Sequence, residues 1–462
     1  MTEALLKLHE VIGDLRSSDH LVLLLLAFLI AGFFIAWNLS PWRSLLAWLA
    51  TTSIQFEAGT FHLSLSDLFV IPLVMGAFMT WIHSRESGVR VPSALLTFAL
   101  LFLTAGNIVT ALTLGELPQW TWLNKDLGLI ELLLCYWAIL VICRNLTLTE
   151  NAVRAFLISV SALNCVGLVL YVSSLLTGLD SIANYGGMRF KGLMLDPNGY
   201  SGLAGVAAIF QFSMLILKPR GGLRGLLQLI NLSLLVTGCV LTLSRGGFIA
   251  LLAGALMMLY FTRTKSTHIV VLALLAISLA VVWLASRTDL DNSIQARTDE
   301  RGNIESRIDY IEQGLRMYTS SPVTLLTGIG IGTFIEKSPQ FFGDNHQIHN
   351  TFVWLLVEGG PFLLIAYLFI LYRALRQTYW VMVHVPELRH LATGCFCALI
   401  SAVVWCLGVE GTYHHHVWML LAFSELLWVY SSQSASAQRS MTDAAWTVQH
   451  SYASGLAIPS AR

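Results

Sequence analysis

The sequence predicts an all-α integral membrane protein with about 12–13 transmembrane helices. Its residues are 56% hydrophobic and only 12% charged, and the mean hydropathy is +0.69. An ordinary soluble domain carries about 25% charged residues. Apolar runs of roughly 20 residues, the length that crosses a bilayer, recur along the chain. The formal net charge is zero, so no basic field points to nucleic acid.

The apolar runs give the candidate spans in chain order. They are residues 21–38, 42–56, 66–83, 93–114, 127–143, 152–177, 199–217, 223–243, 246–262, 267–285, 349–372, 390–408 and 415–431. Segment 42–56 is the exception, because it is short and contains Thr51, Thr52, Ser53 and Gln55. If it and 21–38 both span, the N-terminus lies outside; if one spans, it lies inside. No cleavage signal accompanies 21–38, so we expect a retained span.

Basic residues set the predicted orientation. They cluster in short loops that fall on one side when the spans are counted from residue 66 onward, and that side is predicted to be cytoplasmic. The clusters are Arg85/Arg90, Arg144/Arg154, Lys218/Arg220/Arg224, Arg263/Lys265 and Arg373/Arg376/Arg389. Loops 57–65, 115–126, 178–198, 286–348 and 409–414 are then outside.

Five regions follow from this orientation. They are an N-terminal segment 1–20, a first transmembrane bundle 21–285, a large outer loop 286–348, the last transmembrane helices 349–431 and a disordered cytoplasmic tail 432–462. The large loop is polar and contains a predicted amphipathic helix at 306–318. A membrane transporter has no need of such a loop, so it favours chemistry at the outer face.

Several basic residues lie on the predicted outer face, where basic residues are disfavoured, so they are candidates for a functional site. Arg189 and Lys191 precede the turn Asp196–Gly199, which reads as a helix N-cap. Arg245 lies in the short turn LSRGG between two apolar runs. Guanidinium groups beside helix N-termini form anion sites, so these residues predict a site for a lipid diphosphate. The plainer alternatives are a snorkelling arginine and an ordinary capped turn.

Histidines at the start of a later span supply a candidate base. His349 precedes the span at its outer end, and His346 lies one turn earlier. A histidine there can accept a proton from a hydroxyl group. Glu358 is a weaker candidate, more suited to orienting its neighbours. The amphipathic helix adds Arg307 and Arg316 as candidate phosphate or acceptor contacts, with a solvated helix face as the alternative.

No metal or cofactor site is predicted. The seven cysteines lie in or beside apolar runs, which favours buried thiols over disulfides or zinc. Three consecutive residues, His414 to His416, cannot all face one ion from a helix, so we interpret them as interfacial. The short acidic motif Asp289–Asp291 resembles a metal-binding motif of nucleotide-sugar transferases, but it falls in the outer loop and is discounted.

The motifs in this order resemble the O-antigen ligase/polymerase superfamily. The matching stretches are RFKGLMLDPNGYSGLAG, SRGGFIALLAG, the outer loop with SRID and GIGIGTF, and HNTFVWLLVEGG. The resemblance covers roughly residues 60 to 430. The extra segment at 42–56 and the three consecutive histidines have no counterpart in the family's pattern.

The resemblance implies a glycosyltransferase fold of the GT-C type in the bacterial inner membrane. It implies transfer of a glycan from undecaprenyl diphosphate to an acceptor, lipid A-core or another glycan, at the periplasmic face. It further implies that residues matching Arg189 and Arg245 bind the diphosphate, that a histidine matching His349 lies by the acceptor, and that no metal is needed. A ligase, a repeat-unit polymerase and a protein oligosaccharyltransferase all stay open, as does a glycan transporter or flippase without chemistry.

Overall fold

A computed structural model describes residues 40–58, 61–83, 91–177, 181–185, 189–263 and 301–433. The predicted segment 1–20, the spans 21–38 and 267–285, the motif Asp289–Asp291 and nearly all of the tail 432–462 lie outside these residues. So does the first part of the large loop, up to residue 300.

The described residues form helices almost throughout, which confirms the all-α membrane class. Eight of these helices are long and apolar enough to cross a membrane. They are α2 (Leu65–His83), α3 (Ser93–Leu114), α5 (Leu146–Thr177), α6 (Pro197–Leu217), α7 (Gly222–Leu241), α8 (Arg245–Thr262), α13 (Thr351–His384) and α14 (Pro386–Trp405). Large apolar side chains cover their outer faces, as a lipid environment requires; Leu112 and Leu176 are 81% and 82% exposed.

Further helices complete the described part. A π-helical turn at Thr121–Asp126 leads into helix α4 (Leu127–Ile142). Helix α15 covers residues 415–433. Helix α9 (Arg301–Tyr318) is followed by the short helices α10 (Pro322–Thr327), α11 (Thr333–Lys337) and α12 (Pro339–Phe342). Helix α9 includes the segment for which an amphipathic helix was predicted.

The sequence left open whether 42–56 spans the membrane, and the helix found there is too short to do so. Helix α1 (Pro41–Thr51) has 11 residues, so it extends only about 16 Å and is too short to span. The chain then enters a hairpin of β1 (Gln55–Ala58) and β2 (Phe61–Ser64), paired antiparallel from Gln55↔Ser64 to Ala58↔Phe61. The polar residues that end the apolar run therefore turn the chain back.

Helix α6 lies at the centre of the bundle, packed against α7, α8 and α14. Small residues permit this close packing, as is common between membrane helices. A Cβ atom added at Gly202 would lie 2.5 Å from the indole ring of Trp405, and one added at Gly247 would lie 2.2 Å from Ser201 Oγ. The N-terminal end of α6 is thereby fixed against three other helices.

A kink in α13 explains the glycine-rich turn of the outer loop. Gly360 has φ 75° and ψ 177°, and Pro361 follows it, so the helical hydrogen bonds of the preceding turn are broken. The freed carbonyls of Val357 and Glu358 accept from the N–H groups of Ile329 and Gly330, both at 2.9 Å. The turn GIGIGTF therefore docks on the kink.

Candidate active site

A polar cavity of about 710 Å³ opens at the N-terminal end of α6. It lies where four segments meet: the hairpin of β3 (Asn184–Tyr185) and β4 (Arg189–Phe190), the start of α9, the loop before α13, and the loop between α14 and α15. Its lining consists of Tyr185, Arg189, Asp196, Asn198, Ser306, Arg307, Tyr310, His346, Gln347, His349, Val409, Glu410 and His414.

Arg189 is the predicted diphosphate ligand that lines this cavity. Its Nε donates to the carbonyl of Thr242 at 3.0 Å, and its Nη2 donates to Asn198 Oδ1 at 3.1 Å. The guanidinium also lies over the Tyr185 ring, 5.9 Å from its centroid. These contacts fix a largely buried cation in one orientation.

Helix α6 begins at the predicted N-cap, Asp196, which accepts a hydrogen bond from a backbone N–H group of the helix. Asp196 Oδ2 accepts from the Gly199 N–H at 2.9 Å, and Pro197 occupies the first turn. Helix α8 is capped in the same way, because Ser244 Oγ accepts from the Gly247 N–H at 3.2 Å. The N–H groups of Gly199 and Gly247 therefore donate to the capping side chains, although the sequence had suggested that N–H groups at these helix ends bind phosphate oxygens.

Lys191 and Arg245 are not among the residues that line the cavity. Lys191 is buried, 9% exposed, directly after β4. Arg245 is the first residue of α8 and is exposed. It is three residues from Thr242, whose carbonyl accepts from Arg189, so it lies at the same end of the bundle as Arg189.

Arg307 joins the cavity from α9, where its Nη1 donates to the carbonyl of Gly408 at 3.1 Å. His346 stacks on Tyr310 with the ring centroids 4.5 Å apart. Arg316 lies further along the same helix, pairs with Glu312 at 2.6 Å and is 69% exposed in its side chain. The structure therefore brings Arg307 and His346 to the cavity and leaves Arg316 on the solvated helix face.

His349 lines the cavity just before α13, which Asn350 caps by accepting from two backbone N–H groups at 3.0 Å. The pKa of His349 is lowered to about 4, chiefly by burial and also by the positive charge of Arg307, while Asp196 opposes the shift. The imidazole is therefore neutral near pH 7. It makes no hydrogen bond to another described residue, so a ring nitrogen can accept a proton from a bound hydroxyl group.

Glu358 lies away from the cavity lining and is 2% exposed. Its carboxylate accepts from the N–H groups of Gly332 and Phe334 at 2.7 and 3.0 Å and from Trp354 Nε1 at 2.7 Å. Three buried donors converge on this group. Its contacts hold the glycine-rich turn and α11 against α13.

Sequence reasoning missed Glu410, which lines the same cavity as His349. Thr351 Oγ1, at the start of α13, donates to the Val409 carbonyl and accepts from the Gly411 N–H, both at 2.7 Å, and so fixes the loop around Glu410. The carboxylate pairs with Lys125, and its second oxygen is buried without a hydrogen-bond partner among the described residues. No local motif marks Glu410, because Lys125 is distant in sequence.

The three consecutive histidines diverge. His414 lines the cavity, and burial lowers its pKa to about 4. His415 Nε2 lies 3.0 Å from Glu131 Oε1 and 3.4 Å from Asp67 Oδ1. Asp67, Glu131 and His415 offer ligand atoms within 4.8 Å of one another and could hold a metal ion. Without a metal ion, a proton on His415 Nε2 that is shared between the two carboxylates accounts for the same short distances.

One family model matches the chain. Residues 230–368 match the model described as O-antigen ligase, which supports membership in the O-antigen ligase/polymerase superfamily. The match includes Arg245, Arg307, His346 and His349 and ends before Glu410. A search of the curated proteins finds no match.

Proposed function

We propose that this member of the O-antigen ligase/polymerase superfamily is a glycosyltransferase of the bacterial inner membrane that works at the periplasmic face. It moves a glycan from undecaprenyl diphosphate to an acceptor hydroxyl group, as an O-antigen ligase does. The observation that carries the proposal is the polar cavity, which gathers two arginines, three histidines and two carboxylates at one end of an apolar bundle. The family match supports the same chemistry.

The diphosphate is held by fixed cations. Arg189 and Arg307 line the cavity and present guanidinium groups that suit phosphate oxygens. Lys191 and Arg245 remain proposed ligands at the same end of the bundle. Stabilising the charge on the departing diphosphate lowers the barrier without a metal ion.

The reaction is a direct displacement. The acceptor hydroxyl oxygen attacks the anomeric carbon from the face opposite the diphosphate. The bond between that carbon and the phosphate oxygen breaks with inversion, and the diphosphate leaves with the electron pair. His349 accepts the hydroxyl proton, and Glu410, which lines the same cavity, orients the acceptor.

The test is glycan transfer by purified protein in the presence of EDTA. Arg307→Gln and His349→Ala are compared with wild type, and Arg316→Gln, on the same helix but exposed, serves as the matched control. We expect released polyprenyl diphosphate and a larger glycoconjugate for wild type and the control. We expect a loss of about 100-fold or more for both cavity variants, as for other groups that stabilise or deprotonate at the reacting centre.

The product distinguishes the alternatives. Addition to lipid A-core indicates a ligase, and addition to a second lipid-linked repeat unit indicates a polymerase. Intact donor in every sample, together with movement of donor across liposomes, would contradict transfer and favour a transporter.

A further inference from the structure

A second cavity lies at the far end of α6, away from the site described above. Helix α6 has 21 residues, so its ends are about 30 Å apart, roughly the thickness of the hydrocarbon core. The cavity has a volume of about 450 Å³ and is formed by α5, α6 and α7. The two cavities therefore lie at opposite ends of α6.

The mouth of this cavity is strongly basic. Arg154, Lys218, Arg220 and Arg224 line it, and none of its lining residues is acidic. Glu150 lies beside them and pairs with Arg154 and Lys218 at 2.9 and 2.8 Å. This one carboxylate pairs with two of the four cations. Arg220 and Arg224 are exposed and have no partner among the described residues.

The walls of the cavity are apolar and face the membrane. Ile158 is 67% exposed, Leu227 is 54% exposed and Ile230 is 45% exposed. An amide pair lies about two turns from the cations along α6 and α7, where Asn231 Nδ2 donates to Gln211 Oε1 at 3.2 Å. Gln228 Oε1, also in the lining, is buried without a hydrogen-bond partner among the described residues. The basic mouth and the apolar walls match the charged headgroup and the acyl chains of a phospholipid.

We propose that this cavity binds one anionic phospholipid, with its phosphate at Arg220 and Arg224 and an acyl chain along Ile158 and Leu227. Basic pockets between membrane helices on the predicted cytoplasmic side suit anionic headgroups. A plain topology signal requires only the positive charges in the loop. It does not require an indentation with apolar walls and an unsatisfied buried amide. The lipid occupies the cavity as a structural ligand of α5, α6 and α7.

The experiment is native mass spectrometry of the detergent-solubilised full chain, titrated with phosphatidylglycerol, with phosphatidylcholine and with inorganic phosphate. The double variant Arg220→Gln/Arg224→Gln removes the two unpaired guanidinium groups. Removing one such cation costs about fivefold in affinity for an anionic lipid, so we expect roughly a 25-fold loss for phosphatidylglycerol. Phosphatidylcholine and free phosphate should bind weakly to every form.

Two controls separate a built site from general basicity. Arg376→Gln/Arg389→Gln removes two exposed arginines at the same end of the bundle but outside the cavity, and should leave phosphatidylglycerol binding unchanged. Ala162→Trp fills the cavity while every cation remains, and should weaken binding although the charge is unaltered. Equal losses in both double variants, or full binding by Ala162→Trp, would overturn the proposal. Because the readout is lipid binding alone, the result is independent of the glycan-transfer test.

Discussion

His349 gives the clearest prediction at the scale of single residues. Burial and the charge of Arg307 keep the pKa of its imidazole at about 4, so the neutral base is present throughout the range above that value. We expect kcat/KM for transfer to be flat between about pH 5 and pH 8 and to fall tenfold per pH unit below about pH 4. A pH–rate profile with purified protein measures this.

The Arg307→Gln variant is the control for the cause of that shift. Removing the positive charge should raise the pKa of His349, so the acidic limb of the profile should move toward higher pH. Because His414 has a pKa of about 4 as well, the same profile is recorded for His414→Asn. An acidic limb near pH 6.5 in wild type would contradict a buried, neutral His349.

The Lys125–Glu410 pair gives a second residue-scale prediction. The two side chains are 7% and 8% exposed, and the ammonium group lies 4.5 to 5.3 Å from the ring centroids of Trp120, Trp354 and Tyr413. Glu410→Gln or Lys125→Met alone leaves a buried charge unpaired, which costs about 3–5 kcal/mol. The double variant removes both charges and should cost clearly less than the sum. Thermal unfolding in detergent provides the comparison, and additive losses would show that the pair is not coupled.

Among the elements, the glycine-rich turn before α11 has a strict requirement for glycine. Gly330 has φ +99°, and a Cβ atom there would lie 2.5 Å from the backbone of Thr110 in α3. Gly330→Ala combines backbone strain with overpacking and should destabilise the fold by roughly 2–5 kcal/mol. Gly343 has φ +84° but no atom within 4 Å of an added Cβ, so Gly343→Ala should show the strain alone, roughly 1–2 kcal/mol. Similar unfolding temperatures for the two variants would contradict the close approach.

Most spans in the described part could be predicted, because a bilayer imposes a minimum length on apolar runs. The predictions 66–83 and 93–114 agree within a residue with Leu65–His83 and Ser93–Leu114. Segment 42–56 does not meet this minimum length, because its apolar run is short and ends in polar residues that lead into a hairpin. Lys125 and Asp126 were placed in a loop but lie in the π-helical turn that leads into α4, where Lys125 pairs with Glu410 and Asp126 accepts from Asn107.

The candidate site could be predicted only as far as local patterns reach. Arg189 and His349 stand out because charged groups beside apolar runs are costly, and topology places them at one end. Glu410 gives no such signal, since its partner Lys125 lies 285 residues away. The sequence predicted the turn in which Asp196 caps α6. Only the structure shows that the Gly199 N–H donates to Asp196 and is therefore not available to a phosphate oxygen.

For the whole molecule, the two cavities at opposite ends of α6 define a polarity. The candidate active site is predicted to face the periplasm, and the basic cavity the cytoplasm, because the basic loops gather at the latter end. This orientation decides the chemistry. Lipid-linked donors reach a periplasmic cavity, whereas nucleotide sugars would reach a cytoplasmic one.

Cysteine labelling tests this orientation. Six of the seven native cysteines are buried and Cys165 is partly buried, so the wild-type background should be low. Ser320→Cys introduces an exposed thiol in the turn after α9, and Gly221→Cys introduces one between α6 and α7. In spheroplasts, a membrane-impermeant maleimide should label Ser320→Cys at once and Gly221→Cys only after lysis, because the bilayer separates the two ends. The reverse pattern would place the candidate active site in the cytoplasm, where an undecaprenyl-diphosphate glycan exposed at the periplasmic face could not serve as donor.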